Sequence, residues 1–291
     1  MNPIGMWKPE YVYRPWKLLS RLQYSRLTRE PFATAALPWG DHLRVRPTET
    51  IGRSILTLGV YDLLVSEVLW RLTDPTDRVA DVGANIGYMT VLLAYRAYSG
   101  QVWAFEPHPS NFADLEHNAA MNPVVGRPLP NVLNAAVSDR AGELTIVTPD
   151  GFAQNRGLSS VTARVDGTGD PCRAVTLDDT FPGGARIDVM KIDVEGHEMN
   201  VLNGGKNLFG EGRVRDCIFE SHDPYPNPTS TFFRARGYSV FGLTKRFRGP
   251  ALVAPDLVPD STWEAPSLVA TREPDRVRER LAPRGWRCLR G

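Results

Sequence analysis

The sequence predicts an α/β fold: a doubly wound, mostly parallel sheet with helices on both faces, preceded by an N-terminal helix and hairpin. Beyond Tyr61, short apolar runs alternate with segments of helix-forming composition, which is the pattern of strand–helix–strand units. Two of the apolar runs end in acidic residues and a glycine-containing turn, as strands do at the carboxyl edge of such a sheet. With 291 residues and 42% hydrophobic content, the chain can form one main domain with a buried core.

The predicted elements follow in regular order. Five apolar runs are predicted to be the sheet strands: Arg78–Val82, Gln101–Phe105, Asn131–Ala136, Ile187–Ile192 and Cys217–Ser221. Three intervening segments have helical composition: Tyr88–Ala97, Asn111–Met121 and Glu198–Leu208. Further strands are expected at Glu143–Val147 and Arg173–Leu177, around a polar loop that would act as a lid. The proline-rich run from Arg248 to Pro266 is predicted to be a connector, and a strand at Ser267–Thr271 and a helix at Pro274–Leu281 follow it.

The N-terminal segment is predicted to extend the sheet domain. From Pro15 to about Thr28, Trp16 and Leu19 recur at helical spacing among basic residues, which favours an amphipathic helix. We expect this helix to pack on the main domain or on a second subunit, with an interfacial membrane helix as the alternative. Ala33–Leu37 and His42–Arg46 are predicted to form a hairpin.

The charge of the chain excludes a global attraction to nucleic acid or to an anionic membrane. Lys plus Arg number 34 and Asp plus Glu number 33, which gives a net charge of +1. Both ends are nevertheless basic: the first 30 residues hold six bases and two acids, and the last 21 hold seven arginines and three acids. We interpret these ends as solvated surface, with an acidic partner as the alternative.

Three widely separated cysteines, without a CxxC pair, indicate a reducing compartment and argue against a structural zinc site. No segment approaches the roughly 18 consecutive apolar residues of a membrane span, and the N-terminus lacks the apolar core of a signal peptide. The expected location is therefore the cytoplasm.

A glycine-rich turn after the first predicted strand carries the strongest functional signal. The run from Val79 to Gly87 places an acid at the strand end and a turn that lets a ligand approach the backbone closely. Glu106 ends the second strand 19 residues beyond Gly87, close to the spacing at which an acid reaches a ribose hydroxyl pair. The expected ligand is a nucleoside.

The loop itself favours a nucleoside without phosphates. A dinucleotide site needs a middle glycine where the pyrophosphate contacts the main chain, and Asn85 stands near that position. S-adenosylmethionine has no phosphate, and its amino-acid end needs an acceptor for the ammonium group and amide donors for the carboxylate. Asp81, Asn85 and the loop backbone can supply both. The sequence therefore predicts S-adenosylmethionine as the cofactor.

A second acidic strand end predicts the catalytic side of the same crevice. In a doubly wound sheet the strand that ends at Asp193 would lie beside the first, so Asp193 and Glu195 would face the cofactor. Methyl transfer requires an acceptor oxygen to be held against the sulfonium methyl group and its proton to be removed. Either acid can do this, although Glu195 can also be read as a first-turn residue stabilised by the helix dipole.

The next strand ends in Glu220, followed by Ser221, His222 and Asp223. His222 is placed where a base with an ordinary pKa near 6.5 would be useful, with Glu220 available to position it. Its alternative is a surface loop residue. A divalent cation that binds the substrate hydroxyl is a second hypothesis for this acidic region, with ligands Asp193, Glu195, Glu220, His222 and Asp223. The sequence leaves the choice between metal and base open.

The acceptor atom is predicted to be oxygen. Methyltransferases that act on exocyclic amines commonly carry Asn or Asp followed by Pro-Pro and an aromatic residue after the fourth strand, where this chain has Asp-Val-Glu-Gly. The similar run Asp223-Pro224-Tyr225 follows the wrong strand.

Together these stretches resemble the FkbM family of methyltransferases, within the class I Rossmann-like fold. The resemblance rests on DVGANIGYMT from Asp81, FEPHPSNFADLEHN from Phe105 and KIDVEGHEMNVLNG from Lys191. Weaker similarities lie at Tyr61-Asp62, Ala135–Ser138 and Gly157–Ser160. The similarity spans about residues 59–242.

The resemblance implies an S-adenosylmethionine-dependent O-methyltransferase, whose relatives modify hydroxyl groups of polyketides, glycosides and glycolipids. By position, eleven residues would hold the cofactor: Tyr61, Asp81, Gly83, Asn85, Gly87, Glu106, Pro107, Asn111, Ala136, Ser138 and Asp193. Ser159 and Ser160 of the lid, with Glu220, would face the acceptor. The corresponding division is an N-terminal extension (1–58), a cofactor-binding catalytic domain (59–248) and a C-terminal connector, last strand and Arg-rich tail (249–291).

Two other function classes remain as alternatives. A nicotinamide-dependent oxidoreductase or epimerase is disfavoured by Asn85 in the loop. A non-catalytic binding module that keeps the cofactor fold would use the basic N-terminal helix at a membrane. The expected partner is a small hydroxyl compound and not a nucleic acid, and the N-terminal extension suggests a homodimer.

Overall fold

The structure is a computed structural model that describes residues 8–22, 24, 28–148, 160–162, 169–221, 223–258 and 266–290. Its strands, in chain order, are β1 (Ala33–Ala36), β2 (His42–Val45), β3 (Arg78–Val82), β4 (Gln101–Phe105), β5 (Asn131–Leu133), β6 (Ala136–Val137), β7 (Gly142–Val147), β8 (Ser160–Thr162), β9 (Asp170–Val175), β10 (Ile187–Ile192), β11 (Val214–Glu220), β12 (Ser239–Arg246), β13 (Gly249–Val253) and β14 (Ser267–Thr271). Its α-helices are α1 (Pro9–Tyr13), α2 (Lys17–Leu22), α3 (Thr50–Leu58), α4 (Leu63–Leu72), α5 (Tyr88–Arg96), α6 (Pro109–Ala120), α7 (Leu177–Thr180), α8 (Glu198–Gly204), α9 (Lys206–Gly210), α10 (Pro228–Arg234) and α11 (Pro274–Leu281).

A central sheet organises the molecule, with the strand order β13-β12-β14-β11-β10-β3-β4-β5. Strands β5, β4, β3, β10 and β11 are parallel, whereas β14 runs antiparallel to both β11 and β12. From β3 the chain moves outward through β4 to β5 and later returns to β10 on the other side of β3. The strand order therefore reverses between β3 and β10, where ligands bind in open α/β sheets.

Alternate residues of the central strands enter two separate cores, one on each face of the sheet. Val79, Val189 and Val269 pack into one core, while their neighbours Ala80 and Met190 pack into the other. This period of two follows from strand geometry, and burial on both faces explains why these strands are almost continuously apolar. The predicted fold class is confirmed, including the neighbouring positions of β3 and β10.

One predicted strand is wrong in its extent. The run Asn131–Ala136 divides after Leu133: β5 stays in the central sheet, and β6 pairs with β9 in a four-stranded sheet of order β6-β9-β7-β8. Asn134 causes the bend, because its side-chain amide donates hydrogen bonds to the carbonyls of Glu106 and Pro107 at 2.8 and 3.0 Å. The predicted helix Glu198–Leu208 is also interrupted, at Gly205 between α8 and α9.

The predicted connector after Arg248 is partly a strand. Residues 249–253 form β13, which pairs antiparallel with β12, a strand that the sequence analysis did not assign. Pro250 suggested a break, but β13 is the edge strand of the sheet, where a proline is tolerated. Residues 259–265 of the run lie outside the described part of the chain. Strands β13 and β14 therefore extend the same sheet as β3 and β10.

The helix predicted from Pro15 begins at Lys17, as α2, and a further short helix, α1, precedes it. Arg14, with φ −137° and ψ 69°, separates α1 from α2, because the ring of Pro15 disfavours a helical conformation in the residue before it.

The predicted hairpin is confirmed as β1–β2. It is joined to α6 by Asn118, whose side chain bonds both backbone groups of Arg44. Helices α3 and α4 were missed. Every helix in the described residues is too short or too polar to span a bilayer.

A fully buried ion pair joins the C-terminal tail to α4. Arg71 Nε lies 2.6 Å from Glu67 Oε1, and its guanidinium donates to the carbonyls of Leu281, Pro283 and Gly285. Glu67 accepts the backbone N–H groups of Arg287 and Cys288 at 2.8 Å each. The pair thus satisfies backbone groups of the tail from the end of α11 into the short 3-10 helix at Arg287–Leu289.

We predict that Arg71→Met destabilises the fold by about 3–5 kcal/mol, because Glu67 then keeps a buried charge without its partner. Arg278→Met is the matched control: it removes the exposed pair with Asp275, for which about 1 kcal/mol or less is expected. Urea unfolding of both variants measures the difference. Equal losses would contradict a structural role for the buried pair.

Candidate active site

The loop between β3 and α5 forms the centre of the site. Gly83 has φ +79°, and a Cβ atom built on it would lie 1.8 Å from the carbonyl oxygen of Asp193. Only glycine permits this approach of the two strand ends. Asn85 also has a positive φ, +50°, and its Oδ1 accepts the N–H of Ile86 at 2.8 Å. Gly87, at φ +88°, is the N-cap of α5.

Glu106 faces this loop from the end of β4. One carboxylate oxygen accepts the backbone N–H of Asn85 and the other accepts that of His108, both at 2.9 Å. Burial raises the pKa of Glu106 to about 7, against the lowering effect of these hydrogen bonds and of Asn111. These three hydrogen bonds fix the side chain in place and leave part of the acceptor capacity of the carboxylate for a ligand.

Lys191 links the ends of β3 and β10 through its ammonium group. Its ammonium lies 3.2 Å from Asp193 and 3.5 Å from Asp81 and donates to the carbonyl of Gly83 at 3.1 Å. Burial lowers the pKa of Lys191, but the charges of Asp193 and Asp81 outweigh burial and hold it above its usual value. Asp81 accepts the hydroxyl of Thr90 with Oδ2 at 2.7 Å, while its buried Oδ1 has no hydrogen-bond partner in the structure.

Carboxylates line the side of the cleft away from Glu106. Glu195 has a left-handed backbone, φ +50°, in the turn after β10, a strained conformation for this residue type. Glu220 ends β11. Burial and the negative charges of Asp193 and Asp62 raise the pKa of Glu220 well above its usual range. The raised pKa favours the neutral form of Glu220, which can donate a hydrogen bond.

The wall beside Glu106 consists of β6 and the start of α8. Ala135, Ala136 and Val137 line the cleft together with His197. Ser138 Oγ lies 2.9 Å from Nε2 of His197, and burial lowers the pKa of this histidine. Residues 135–137 thus contribute small apolar side chains to the lining of the cleft.

Most residues predicted from the sequence converge on one cleft. Tyr61, Gly83, Asn85, Glu106, Pro107, Asn111, Ala136 and Asp193 line it, as do Glu195 and Glu220. Asp81, Gly87 and Ser138 contact this lining from behind. His222 and Ser159 lie outside the described residues, and Ser160 belongs to β8, opposite Val147 of β7. In the described part of the chain, no group of three His, Cys, Asp or Glu side chains is arranged to hold a metal ion.

Sequence reasoning missed Lys191, His197 and Asp62 as parts of the site. A signal existed for Lys191, because it is a cation within the otherwise apolar end of β10 and its neighbours in the sheet are buried. His197 directly follows the glycine of the turn, but the two acids before that glycine were preferred as candidates, so His197 was not assigned to the site. Asp62 caps α4 by accepting the N–H of Val65 at 3.1 Å, and its position near Glu220 depends on a helix that was not assigned.

The chain is similar to curated methyltransferases. It is 35% identical over 179 residues to the 31-O-demethyl-FK506 methyltransferase FkbM of Streptomyces tacrolimicus, covering 51% of this chain and 66% of that protein. It is 27% identical over 196 residues to the hexuronic acid methyltransferase AglP of Haloferax volcanii, covering 67% of this chain and 75% of that protein. The chain thus spans about two thirds of the first relative's length.

Among solved structures, the chain is similar to M. jannaschii TYW2 in complex with AdoMet, with 13% identity, a TM-score of 0.41, and coverage of 83% of this chain and 85% of that one. The family model described as the methyltransferase FkbM domain matches residues 81–240. That segment contains the β3 loop, Glu106, and the acidic turn after β10. The chain belongs to the FkbM methyltransferase family.

Proposed function

We propose that this chain is an S-adenosylmethionine-dependent O-methyltransferase that acts on a hydroxyl group of a small natural product or sugar. The observation that carries the proposal is the placement of the Glu106 carboxylate. Two backbone amides hold this carboxylate, which keeps acceptor capacity for a ligand. It lies beside a loop in which Asn85 occupies the place of a pyrophosphate-binding glycine. The FK506 relative is named as a methyltransferase of a 31-O-demethyl compound, which supports oxygen as the acceptor atom.

The residues present fit this cofactor. Glu106 would accept the ribose hydroxyls, and residues 135–137 would cover the adenine. Oδ1 of Asp81 lies 3.5 Å from the Lys191 ammonium but accepts no hydrogen bond from the described residues, so it would be available to the amino-acid end. The cofactor supplies a methyl group on a positively charged sulfur. When the acceptor oxygen bonds to the methyl carbon, the carbon–sulfur electron pair goes to sulfur and the hydroxyl proton must go to a base.

Among the carboxylates beside the methyl position, Glu195 is the candidate base. Asp193 is ion-paired with Lys191 at 3.2 Å, and Glu220 carries its own proton because burial and neighbouring acids raise its pKa. Glu195 lies in the cleft on a backbone conformation that costs free energy, as is common at functional positions. Glu220 would donate a hydrogen bond to the acceptor or to its neighbouring oxygen.

We predict that S-adenosylhomocysteine binds at micromolar concentrations and that its dissociation constant rises as the pH falls below about 7. The pKa of Glu106 is about 7 in the free protein, and the ribose hydroxyls bind its ionised form, so protonation competes with the ligand. Glu106→Gln should weaken binding roughly ten- to hundredfold. Titration calorimetry between about pH 5.5 and 8.5 measures both.

Glu106→Gln is also the control for this pH profile, since the ligand and every other titratable residue are the same in both proteins. The rise at low pH should be absent from the variant. A rise of the same size in Glu106→Gln would assign the effect to another group, and the absence of binding at any pH would refute the proposed cofactor.

We predict different effects for the two acids of the β10 turn. Glu195→Gln should lower kcat by about 10²- to 10⁴-fold, the usual contribution of a general base, without changing cofactor affinity. Asp193→Asn should weaken cofactor binding, because it removes one of the two charges that hold Lys191. Single-turnover kinetics and equilibrium binding separate these effects. If Asp193→Asn lowers only kcat and Glu195→Gln changes neither quantity, Asp193 is the base.

We predict that neutral acceptors are preferred over acceptors that carry a carboxylate. In the described lining of the cleft, five carboxyl groups face one ammonium group, that of Lys191. The five carboxyl groups belong to Asp62, Glu106, Asp193, Glu195 and Glu220. Like charges would repel an anionic acceptor. For matched pairs of a glycoside and its uronate, kcat/KM should be about tenfold higher for the glycoside and the difference should shrink at high salt. Equal values would show that the acids do not select the acceptor.

A further inference from the structure

A groove outside the cleft lies between α1, the turn from β12 to β13, and the C-terminal tail. Six side chains line it: Val12, Tyr13, Phe247, Arg248, Arg284 and Arg290. We call it the basic groove. It lies outside the segment matched by the family model, residues 81–240, and takes no part in the proposed methyl transfer.

The basic groove exposes apolar side chains that a globular surface usually covers. Val12 is 48% exposed and Phe247 is 52% exposed. Trp16 and Leu19, four and seven residues after Val12, are 55% and 61% exposed. Trp16 and Leu19, two of the apolar residues that predicted an amphipathic helix, therefore leave more than half of their surface exposed. Clustered exposure of this kind marks an interaction surface.

The three arginines of the basic groove are exposed and make no ion pair with the described residues. Arg290 instead lies over the ring of Tyr13, 5.0 Å from its centroid. The arginines of the nearby α11 differ, because Arg276 and Arg280 both pair with Asp74. No carboxylate is among the described residues that line the groove. The described lining of the groove therefore carries three arginine charges that no lining carboxylate offsets.

The groove is held in shape by buried contacts. Trp286 Nε1 donates to the carbonyl of Phe247 at 3.1 Å, and the N–H of Gly285 donates to the carbonyl of Arg248 at 2.7 Å. Arg71, from the buried pair in α4, donates to the carbonyl of Gly285 at 2.7 Å. The exposed side chains thus project from a fixed backbone, which lowers the entropy cost of binding.

We propose that the basic groove, together with Trp16 and Leu19, docks the protein on the surface of an anionic lipid bilayer. Arginines would bind lipid phosphates, while the aromatic and aliphatic side chains would enter the boundary between headgroups and acyl chains. A nucleic acid would satisfy the arginines and stack on Phe247, but it would leave Val12 and Leu19 without an apolar partner. A bilayer accommodates both kinds of side chain, and it needs no spanning helix.

Vesicle sedimentation with the full chain tests this proposal, using phosphatidylcholine alone and phosphatidylcholine with about one third phosphatidylglycerol. We expect binding to the anionic vesicles only, weakened at about 0.5 M salt. The triple variant Arg248→Gln, Arg284→Gln, Arg290→Gln should lose affinity on the order of a hundredfold. The matched control removes three exposed charges outside the groove: Arg140→Gln, Arg186→Gln, Lys206→Gln.

Phe247→Ser tests the apolar contribution and should weaken vesicle binding without changing the response to salt. Thermal melting and cofactor affinity verify that each variant is folded. The proposal is overturned if the full chain ignores anionic vesicles, or if the groove variant and its control bind them equally well. Binding of an RNA oligonucleotide without vesicle binding would assign the surface to nucleic acid. A dimer that the groove variant dissociates in lipid-free solution would assign it to a second copy of the chain.

Discussion

The close approach of Gly83 to the carbonyl of Asp193 is the constraint on which the site depends. The backbone N–H of Asp193 also donates to the carbonyl of Val82 at 3.1 Å, so the ends of β3 and β10 are joined at backbone distance. The Lys191 ammonium contacts both strand ends: it donates a hydrogen bond to the carbonyl of Gly83 and forms ion pairs with Asp81 and Asp193. Any side chain at position 83 would separate the strands and move the carboxylates away from one another.

The charge balance of the cleft has a consequence for the proposed reaction. Its carboxyl groups outnumber its ammonium group, and Lys191 is already engaged by two of the carboxylates. A sulfonium cofactor brings a positive charge into this environment, and methyl transfer converts it into a neutral thioether. Electrostatic attraction therefore acts on the substrate form of the cofactor more than on its product. The protonated Glu220 limits the repulsion among the acids before the cofactor arrives.

How much the sequence predicts differs between the sheet and its surroundings. Central strands such as Arg78–Val82 and Ile187–Ile192 were predicted with the observed bounds, because burial on both faces makes them apolar throughout. The bend at Asn134 and the break at Arg14 depend on a side-chain amide and on a proline, local effects that an apolar pattern does not record. Glu106 and Asn85 could be assigned to one site because strand ends in a parallel sheet share an edge. Asp62 reaches that site only through an unassigned helix, which sequence spacing does not reveal.

The chain ends add to the family's catalytic segment without forming a separate unit. Glu10 of α1 pairs with Lys245 of β12 at 2.6 Å, and the tail closes over Glu67 and Arg71 of α4. Both ends are therefore anchored to elements that also carry the cleft, since α4 begins at the cap Asp62, which lines it. The buried pair of Glu67 and Arg71 fixes the backbone of the tail, and Arg284 and Arg290 project from that fixed backbone. The anchoring that orders the tail thus also holds two of its exposed arginines beside Arg248 in the basic groove.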